Sequence, residues 1–205
     1  MYNFIMKIEY YYSVASPYAY LGINRFQDLV KKYSLEVIEK PIDLVGKVFP
    51  ETGGMALPKR HPSRQKYRLI ELERFGKKLN LKINKQPKFF PPSNPHKPAL
   101  FTIASIKKGL KIDFGREVLT KLWADEQDIS QESVLEIICQ KCKLDFSEIQ
   151  QLSNSEEIQS EYVKNSNDAI AKGVFGAPTF IVDNEMFWGQ DRLDFLEDKI
   201  KSFSH

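Results

Sequence analysis

The sequence predicts an α/β fold in which a large all-helical insertion interrupts a small sheet domain. Three patterns indicate this: a β-α-β unit opens the chain, helical periodicity fills its middle, and a β-β-α unit closes it. A length of 205 residues fits one domain, or one domain that carries a large insertion. The hydrophobic content of 42% is ample for a core, so general disorder is not expected.

The opening unit is a strand, a helix and a second strand. Residues 7–13 are rich in tyrosine, and residues 17–33 carry apolar side chains at helical spacing. Pro17 suits the first helical position because its missing N–H would be unpaired there anyway, and Ser16 is then the natural N-cap. Residues 35–41 predict the second strand, joined to the first by a right-handed crossover.

The middle of the chain lacks the pattern of a sheet. Residues 45–63 are broken by glycine and proline and predict an irregular segment. The proline-dense residues 86–95 cannot lie inside a helix. Five stretches have the apolar spacing of helices: 64–79, 98–109, 113–124, 131–142 and 155–172.

The closing unit returns to short strands. Residues 179–182 and 185–188 predict two strands joined by a turn at Asp183-Asn184, and residues 193–202 predict a final helix.

Two separated segments are expected to share the sheet domain. Residues 6–48 and 173–205 would form a discontinuous domain around four strands, and residues 49–172 would form the helical insertion domain. Loop-closure entropy grows only logarithmically with loop length, so such an insertion costs little stability.

Composition and charge argue against several classes of binding partner. A net charge of +3 argues against nucleic acid. No apolar run approaches the roughly 20 residues of a membrane span, and the N-terminus lacks the pattern of a secretory leader. Two cysteines cannot make a secreted disulfide scaffold, and with the three histidines they show no metal-ligand spacing. We expect a cytoplasmic protein without metal, nucleic-acid or membrane partners.

Two proline motifs point to a known superfamily. The tetrad Ser16-Pro17-Tyr18-Ala19 begins the first helix, and Gly176-Ala177-Pro178-Thr179 opens a late strand. Together they resemble the thioredoxin-like superfamily, in which a dithiol C-P-x-C begins the first helix and faces a cis-proline loop. Here both sulfurs are absent, so dithiol chemistry at this position is not expected.

The start of the first helix could still hold a sulfur. Its unpaired N–H groups and partial positive charge suit an anion, and a nearby hydroxyl would favour a thiolate. Because this chain has no thiol there, a bound ligand would have to bring one, and glutathione is the obvious candidate. The alternative for Ser16 is a plain helix cap.

Two further segments could hold the rest of glutathione. A cis bond before Pro178 would turn the N–H and C=O of Ala177 outward, so that they could pair with the cysteinyl unit. Gln190 or Asp191 could accept from a γ-glutamyl ammonium, and Arg192 could hold its carboxylate. The alternatives are an ordinary turn before an edge strand and a simple helix cap.

Three motifs in order carry a more specific resemblance. They are Ser16-Pro17-Tyr18-Ala19-Tyr20-Leu21, Gly173-Val174-Phe175-Gly176-Ala177-Pro178-Thr179 and Phe187-Trp188-Gly189-Gln190-Asp191-Arg192-Leu193. With Lys88-Phe89-Phe90-Pro91 they resemble the 2-hydroxychromene-2-carboxylate isomerase family, which is related to kappa-class glutathione transferases and DsbA-type oxidoreductases.

The resemblance implies roles for these residues. It implies that Ser16 holds and activates the glutathione sulfur and that Ala177, before Pro178, pairs with the peptide. It also implies γ-glutamyl contacts from Gln190, Asp191 and Arg192, and commonly a cytoplasmic homodimer.

The substrate side departs from the family. Some members carry a lysine and an asparagine in the loop that matches residues 45–54, whereas here the nearest lysine is Lys47 and Thr52-Gly53-Gly54 has no asparagine. Lys47 is therefore one candidate substrate residue. Arg60, in the basic stretch 58–68, is the other, because a cation at the cleft would attract an anionic small molecule. The alternative for this basic stretch is a solvated loop and the start of a helix.

The main hypothesis is a glutathione-dependent isomerase of an aromatic or bicyclic carboxylate. A kappa-like glutathione transferase would share the site, and a non-catalytic glutathione-binding module is a further alternative. A thiol-disulfide oxidoreductase could use Cys139-Gln140-Lys141-Cys142. A redox CxxC belongs at a helix N-terminus, however, and this one ends a helical pattern, so a structural or incidental role is expected.

Overall fold

Four strands form one mixed sheet in a computed structural model that describes residues 6–203. The strands are β1 (Lys7–Tyr12), β2 (Glu36–Pro41), β3 (Thr179–Val182) and β4 (Glu185–Trp188). Their order is β2-β1-β3-β4, with β1 parallel to β2 and with β3 antiparallel to both β1 and β4. The first and last segments of the chain therefore share one sheet, as the sequence predicts.

Nine α-helices accompany the sheet in the described residues. Helix α1 (Pro17–Tyr33) joins β1 to β2, and α9 (Leu193–Ser202) follows β4. The others lie between β2 and β3: α2 (Phe49–Thr52), α3 (Pro62–Lys78), α4 (His96–Lys107), α5 (Asp113–Trp123), α6 (Glu132–Lys141), α7 (Phe146–Ser153) and α8 (Glu156–Ala171). The α/β class with a large helical insertion is confirmed.

Two details of the insertion differ from expectation. The segment 45–63 was expected to be irregular, but a π-helix at Leu44–Val48, helix α2 and a 3-10 helix at Leu57–Lys59 occupy much of it. Helix α7, capped by the Asp145 side chain, lies in a stretch for which no helix was predicted. These elements span eight residues or fewer, and hydrophobic periodicity needs a longer window to be seen.

Alternate residues of β1 face two different packing layers. Tyr10 and Tyr12 stack with ring centroids 4.5 Å apart, and Phe26 of α1 packs on Tyr10. Tyr11 belongs to a second cluster on the other face, which includes Ala169 of α8. The strand is buried on both faces, which suits a central position in the sheet.

A buried carboxylate joins the sheet to the insertion. Glu39 of β2 accepts a hydrogen bond from the Tyr12 hydroxyl (2.6 Å) and another from the Ile112 N–H (2.5 Å). Ile112 has a φ of 66°, a strained value for a β-branched residue. Burial is the main reason that the pKa of Glu39 rises to about 7.

Strand register determines where the candidate site forms. Tyr11 pairs with Thr179 across the antiparallel β1–β3 ladder, so the end of β1 lies beside the beginning of β3. The chain leaves β1 toward Ser16 and enters β3 from Ala177-Pro178.

None of the helices within residues 6–203 is both long and apolar enough to span a bilayer.

Candidate active site

The Ser16 hydroxyl links the two segments that the sequence singles out. It donates to the Ala177 carbonyl oxygen at 3.2 Å and accepts from the Ala19 N–H at 3.2 Å. The residue is only 7% exposed. Ser16 is therefore the N-cap of α1, and it also contacts a residue that lies 161 positions later in the chain.

The first turn of α1 leaves a donor beside this hydroxyl. Pro17 has no N–H, and the Ala19 N–H is capped by Ser16. The Tyr18 N–H donates no hydrogen bond within the part of the chain that the structure describes. A free N–H, a hydroxyl and the positive end of a helix dipole together can stabilise an anion such as a thiolate.

The loop before β3 is held in place by contacts with Trp188 and Gly189. The Ala177–Pro178 peptide is cis, and the Pro178 carbonyl accepts from the Gly189 N–H at 2.9 Å. Gly176 lies directly against the Trp188 indole, where a Cβ could not fit. The Ala177 N–H has no hydrogen-bond partner among residues 6–203, so it can serve a ligand.

Gln190 lies against α1, and Asp191 and Arg192 lie at the surface. Gln190 is 1% exposed, and a Cβ at Gly22 would come within 2.8 Å of its Cβ. Its Oε1 is buried without a partner in the described residues. Asp191 and Arg192 are exposed and paired with each other at 2.8 Å. A buried acceptor without a partner calls for a donor that the described residues do not supply.

The two candidate substrate residues differ in position. Lys47 lies in the short π-helix after β2, and no described contact connects its side chain with Ser16. Arg60 donates from Nε to the Met55 carbonyl at 2.8 Å. Burial raises the pKa of Tyr18, and the positive charges of Arg68 and Arg60 both oppose that rise. Arg60 therefore lies near the start of α1.

Sequence reasoning missed Arg68, which shares this neighbourhood. It lies on α3 with Leu72 and Gly76, and all three are buried. Their spacing of four residues places a cation in the apolar stripe of an amphipathic helix. That placement was the signal in the sequence that could have identified it.

The two cysteines lie in another part of the insertion. Cys139 is near the end of α6 and Cys142 is its C-cap, and both are free thiols. Burial raises the pKa of Cys139 to about 12 and that of Cys142 to about 11. Such thiols stay protonated at neutral pH and are poor nucleophiles.

Residues 6–203 contain no group of three or more His, Cys, Asp or Glu placed to hold a metal ion.

Comparison with known proteins agrees with the predicted fold and resemblance. A family model described as "DSBA-like thioredoxin domain" matches residues 7–201. A 2-hydroxychromene-2-carboxylate isomerase from Sphingobium xenophagum is 29% identical over 196 residues, which cover 93% of this chain and 95% of the relative. Glutathione S-transferase kappa 1 from Caenorhabditis elegans is 23% identical over 206 residues, covering 95% of this chain and 91% of the relative.

A solved structure has the same fold. That of a 2-hydroxychromene-2-carboxylate isomerase superposes with a TM-score of 0.80 at 22% identity, covering 97% of this chain and 96% of the other. At this identity the likeness concerns the fold alone.

Proposed function

The chain belongs to the DSBA-like thioredoxin family, and from that premise we propose that it is a glutathione-dependent isomerase of aromatic or bicyclic carboxylates. Relatives named 2-hydroxychromene-2-carboxylate isomerase cover nearly the whole chain at 24–29% identity and support an isomerase. The 2-hydroxychromene-2-carboxylate type of substrate is the specific form of the proposal. Homodimeric assembly and a cytoplasmic location stay predictions.

The contact between Ser16 and Ala177 carries the proposal. In thioredoxin-like enzymes with a dithiol, the first sulfur begins this helix and faces the cis-proline loop. Here a hydroxyl holds that position, 3.2 Å from the Ala177 carbonyl. The chain keeps an anion site at a helix N-terminus and lacks a sulfur to fill it, which favours a thiol brought by a ligand.

The residues present fit glutathione. The Ser16 hydroxyl and the Tyr18 N–H would hold its sulfur, and the Ala177 N–H would pair with its cysteinyl unit. The unpartnered Oε1 of Gln190 would accept from the γ-glutamyl ammonium. Asp191 and Arg192, which pair with each other at 2.8 Å, would have to exchange that ion pair for contacts with the ligand.

The chain's own residues would prepare the reaction. When bound, glutathione would supply the nucleophilic sulfur that a reversible isomerisation requires. The Ser16 hydroxyl has a single proton, now donated to Ala177, and it would turn toward the sulfur to favour the thiolate. The buried surroundings of Ser16 strengthen that hydrogen bond, because they exclude water.

Product analysis with limiting glutathione tests this function. We expect the protein to convert many equivalents of 2-hydroxychromene-2-carboxylate per glutathione and to leave the free thiol concentration unchanged. S-methylglutathione, which has no ionisable thiol, is the matched control and should bind without supporting turnover. Failure to bind either compound would refute the proposal.

A glutathione transferase is the second candidate, favoured by the similarity to the kappa-class relative. It would consume one thiol for each product formed. Binding of glutathione with neither isomerisation nor conjugation would instead identify a non-catalytic binding module.

A further inference from the structure

Arg68 is a buried cation without a counter-ion in the described residues. It is 7% exposed, and its Nη2 has no hydrogen-bond partner there. A guanidinium stays charged in proteins, so burial cannot neutralise it. Desolvation of an unpaired charge is costly, and a protein tolerates it where something else compensates.

Aromatic rings supply only part of that compensation. The Arg68 guanidinium lies over the Phe90 ring, 5.2 Å from its centroid, and 5.5 Å from the centroid of Trp123. The two rings pack on each other at 4.8 Å. Cation–π attraction contributes here, but it provides no acceptor for the guanidinium N–H groups.

A second unpartnered donor belongs to the same cluster. The Trp123 Nε1 is buried and makes no hydrogen bond within residues 6–203. An indole N–H can only donate. The Arg68 guanidinium is 5.5 Å from the centroid of this ring, so one cluster contains two buried donors without an acceptor, which indicates a place for an anion.

Neighbouring charges leave the cluster positive. The pKa of Arg68 is lowered by burial and by Arg60, and Tyr18 opposes the fall, with no carboxylate contributing. Glu71 lies one turn along α3, but it is paired with Arg74 at 2.8 Å. No carboxylate of residues 6–203 is therefore placed to neutralise Arg68.

The cluster includes a residue of α3, and α3 packs against α1, the helix that Ser16 caps. Tyr18, whose pKa is affected by Arg68, is two residues from Ser16 at the start of α1. Phe90 is only partly buried and lies over the guanidinium. A flat ring could pack against this aromatic edge while its carboxylate meets the two donors.

We propose that Arg68 and Trp123 bind the carboxylate of a planar aromatic substrate, through Nη2 and Nε1, with the ring packed on Phe90. This inference rests on the proposed function and names the residues that select its substrate. A carboxylate is also present at the glycyl end of glutathione. We assign the site to the substrate, because the aromatic residues Phe90 and Trp123 suit an aromatic ring beside the carboxylate.

Binding of simple acids tests the site without turnover. Benzoate and salicylate are the probes, with benzamide as the uncharged control, and calorimetry gives each Kd. Arg68→Met keeps the length of the side chain but removes its charge and donors. We expect it to weaken benzoate binding by about 100-fold and to leave benzamide binding unchanged. Trp123→Phe should weaken benzoate binding by about 10-fold, the value of one lost hydrogen bond.

Thermal unfolding separates binding from a structural role. Because Arg68→Met removes an unpaired buried charge, the ligand-free variant should unfold at the same temperature as the wild type or higher. Arg64→Met, on an exposed position one turn earlier in α3, is the matched control and should bind benzoate normally. A lower Tm together with unchanged benzoate affinity would overturn the proposal.

Glutathione and its glycyl monoethyl ester distinguish the two sources of carboxylate. If Arg68→Met binds glutathione normally, the substrate assignment stands. If the variant loses glutathione affinity, and the ester abolishes the difference between the two proteins, the glycyl carboxylate is the occupant and the proposal is overturned. Benzoate binding through Arg68 in a protein that does not bind glutathione would instead refute the proposed function alone.

Discussion

Replacement of Ser16 by alanine is the most direct test of the sulfur site. The hydroxyl makes two hydrogen bonds in the ligand-free protein, to the Ala177 carbonyl and from the Ala19 N–H, both of 3.2 Å. In the proposed complex it would donate to a thiolate. Ser16→Ala removes all three interactions while it leaves the backbone N–H of Tyr18 in place.

The loss of folding stability and the loss of thiolate stabilisation in Ser16→Ala can be estimated separately. Loss of an N-cap costs about 1 kcal/mol, and the buried Ala177 carbonyl loses its partner at a cost of about 1–3 kcal/mol. A hydrogen bond to a charged group contributes about 1.5–3 kcal/mol. Since one pKa unit corresponds to about 1.4 kcal/mol, the pKa of bound glutathione should rise by about 1–2 units.

Ultraviolet absorbance of the thiolate, titrated against pH with protein in excess, measures that pKa. The affinity for S-methylglutathione should change little, and turnover at neutral pH should fall with the thiolate fraction. Ser13→Ala is the matched control, since the Ser13 hydroxyl accepts from the Ala15 N–H at 3.3 Å in the same turn. An unchanged thiol pKa in Ser16→Ala would refute the role assigned to this residue.

Three other perturbations have defined outcomes. Gly22→Ala places a Cβ 2.8 Å from the Cβ of Gln190, so it should destabilise the fold by about 1–3 kcal/mol. The same variant should bind glutathione more weakly, as measured by calorimetry, and an unchanged affinity would show that Gln190 does not contact the ligand. Urea unfolding should show wild-type stability falling between about pH 4.5 and 7 relative to Glu39→Gln, by up to about 3 kcal/mol; parallel curves would contradict this. Replacement of Cys139 and Cys142 by alanine should leave isomerase turnover intact, and insulin reduction lost in that variant would revive the oxidoreductase alternative.

The sign of the Glu39 effect follows from burial. Because the folded protein raises the pKa of this carboxyl from 4.5 to about 7, it binds the proton more tightly than the unfolded chain does. Stability is therefore greatest below the unfolded pKa and decreases as pH rises through the folded one. Glutamine keeps the shape and cannot ionise, so the difference between the two proteins isolates this group.

Local signals account for most of what the sequence predicted. The bounds of α1 follow from Ser16, Pro17 and the apolar spacing, and the strands at 179–182 and 185–188 are marked by the turn between them. Helix α7 was missed because its eight residues contain too few turns to show a period. The Ser16–Ala177 proximity was predicted only through resemblance to a superfamily, since no local pattern relates the two segments.

The surroundings of Arg68 could not be predicted in this way. Its burial depends on Phe90, in a proline-rich passage, and on Trp123, at the end of α5. Each of these residues has an ordinary local interpretation, as loop or as core. Their convergence is a tertiary fact, and a charged residue without a partner is visible only after the packing is known.

The hydrogen bond between Ser16 and Ala177 also bears on synthesis of the chain. Its two ends are 161 positions apart, and the second end lies just before β3, which only β4, a 3-10 helix and α9 follow in the described residues. A polypeptide still emerging from the ribosome holds the serine but not its counterpart, so no fragment that stops within the insertion can possess a competent pocket. Premature termination before residue 177, or proteolytic loss of the chain from that residue onward, should therefore abolish ligand capture altogether instead of merely reducing it.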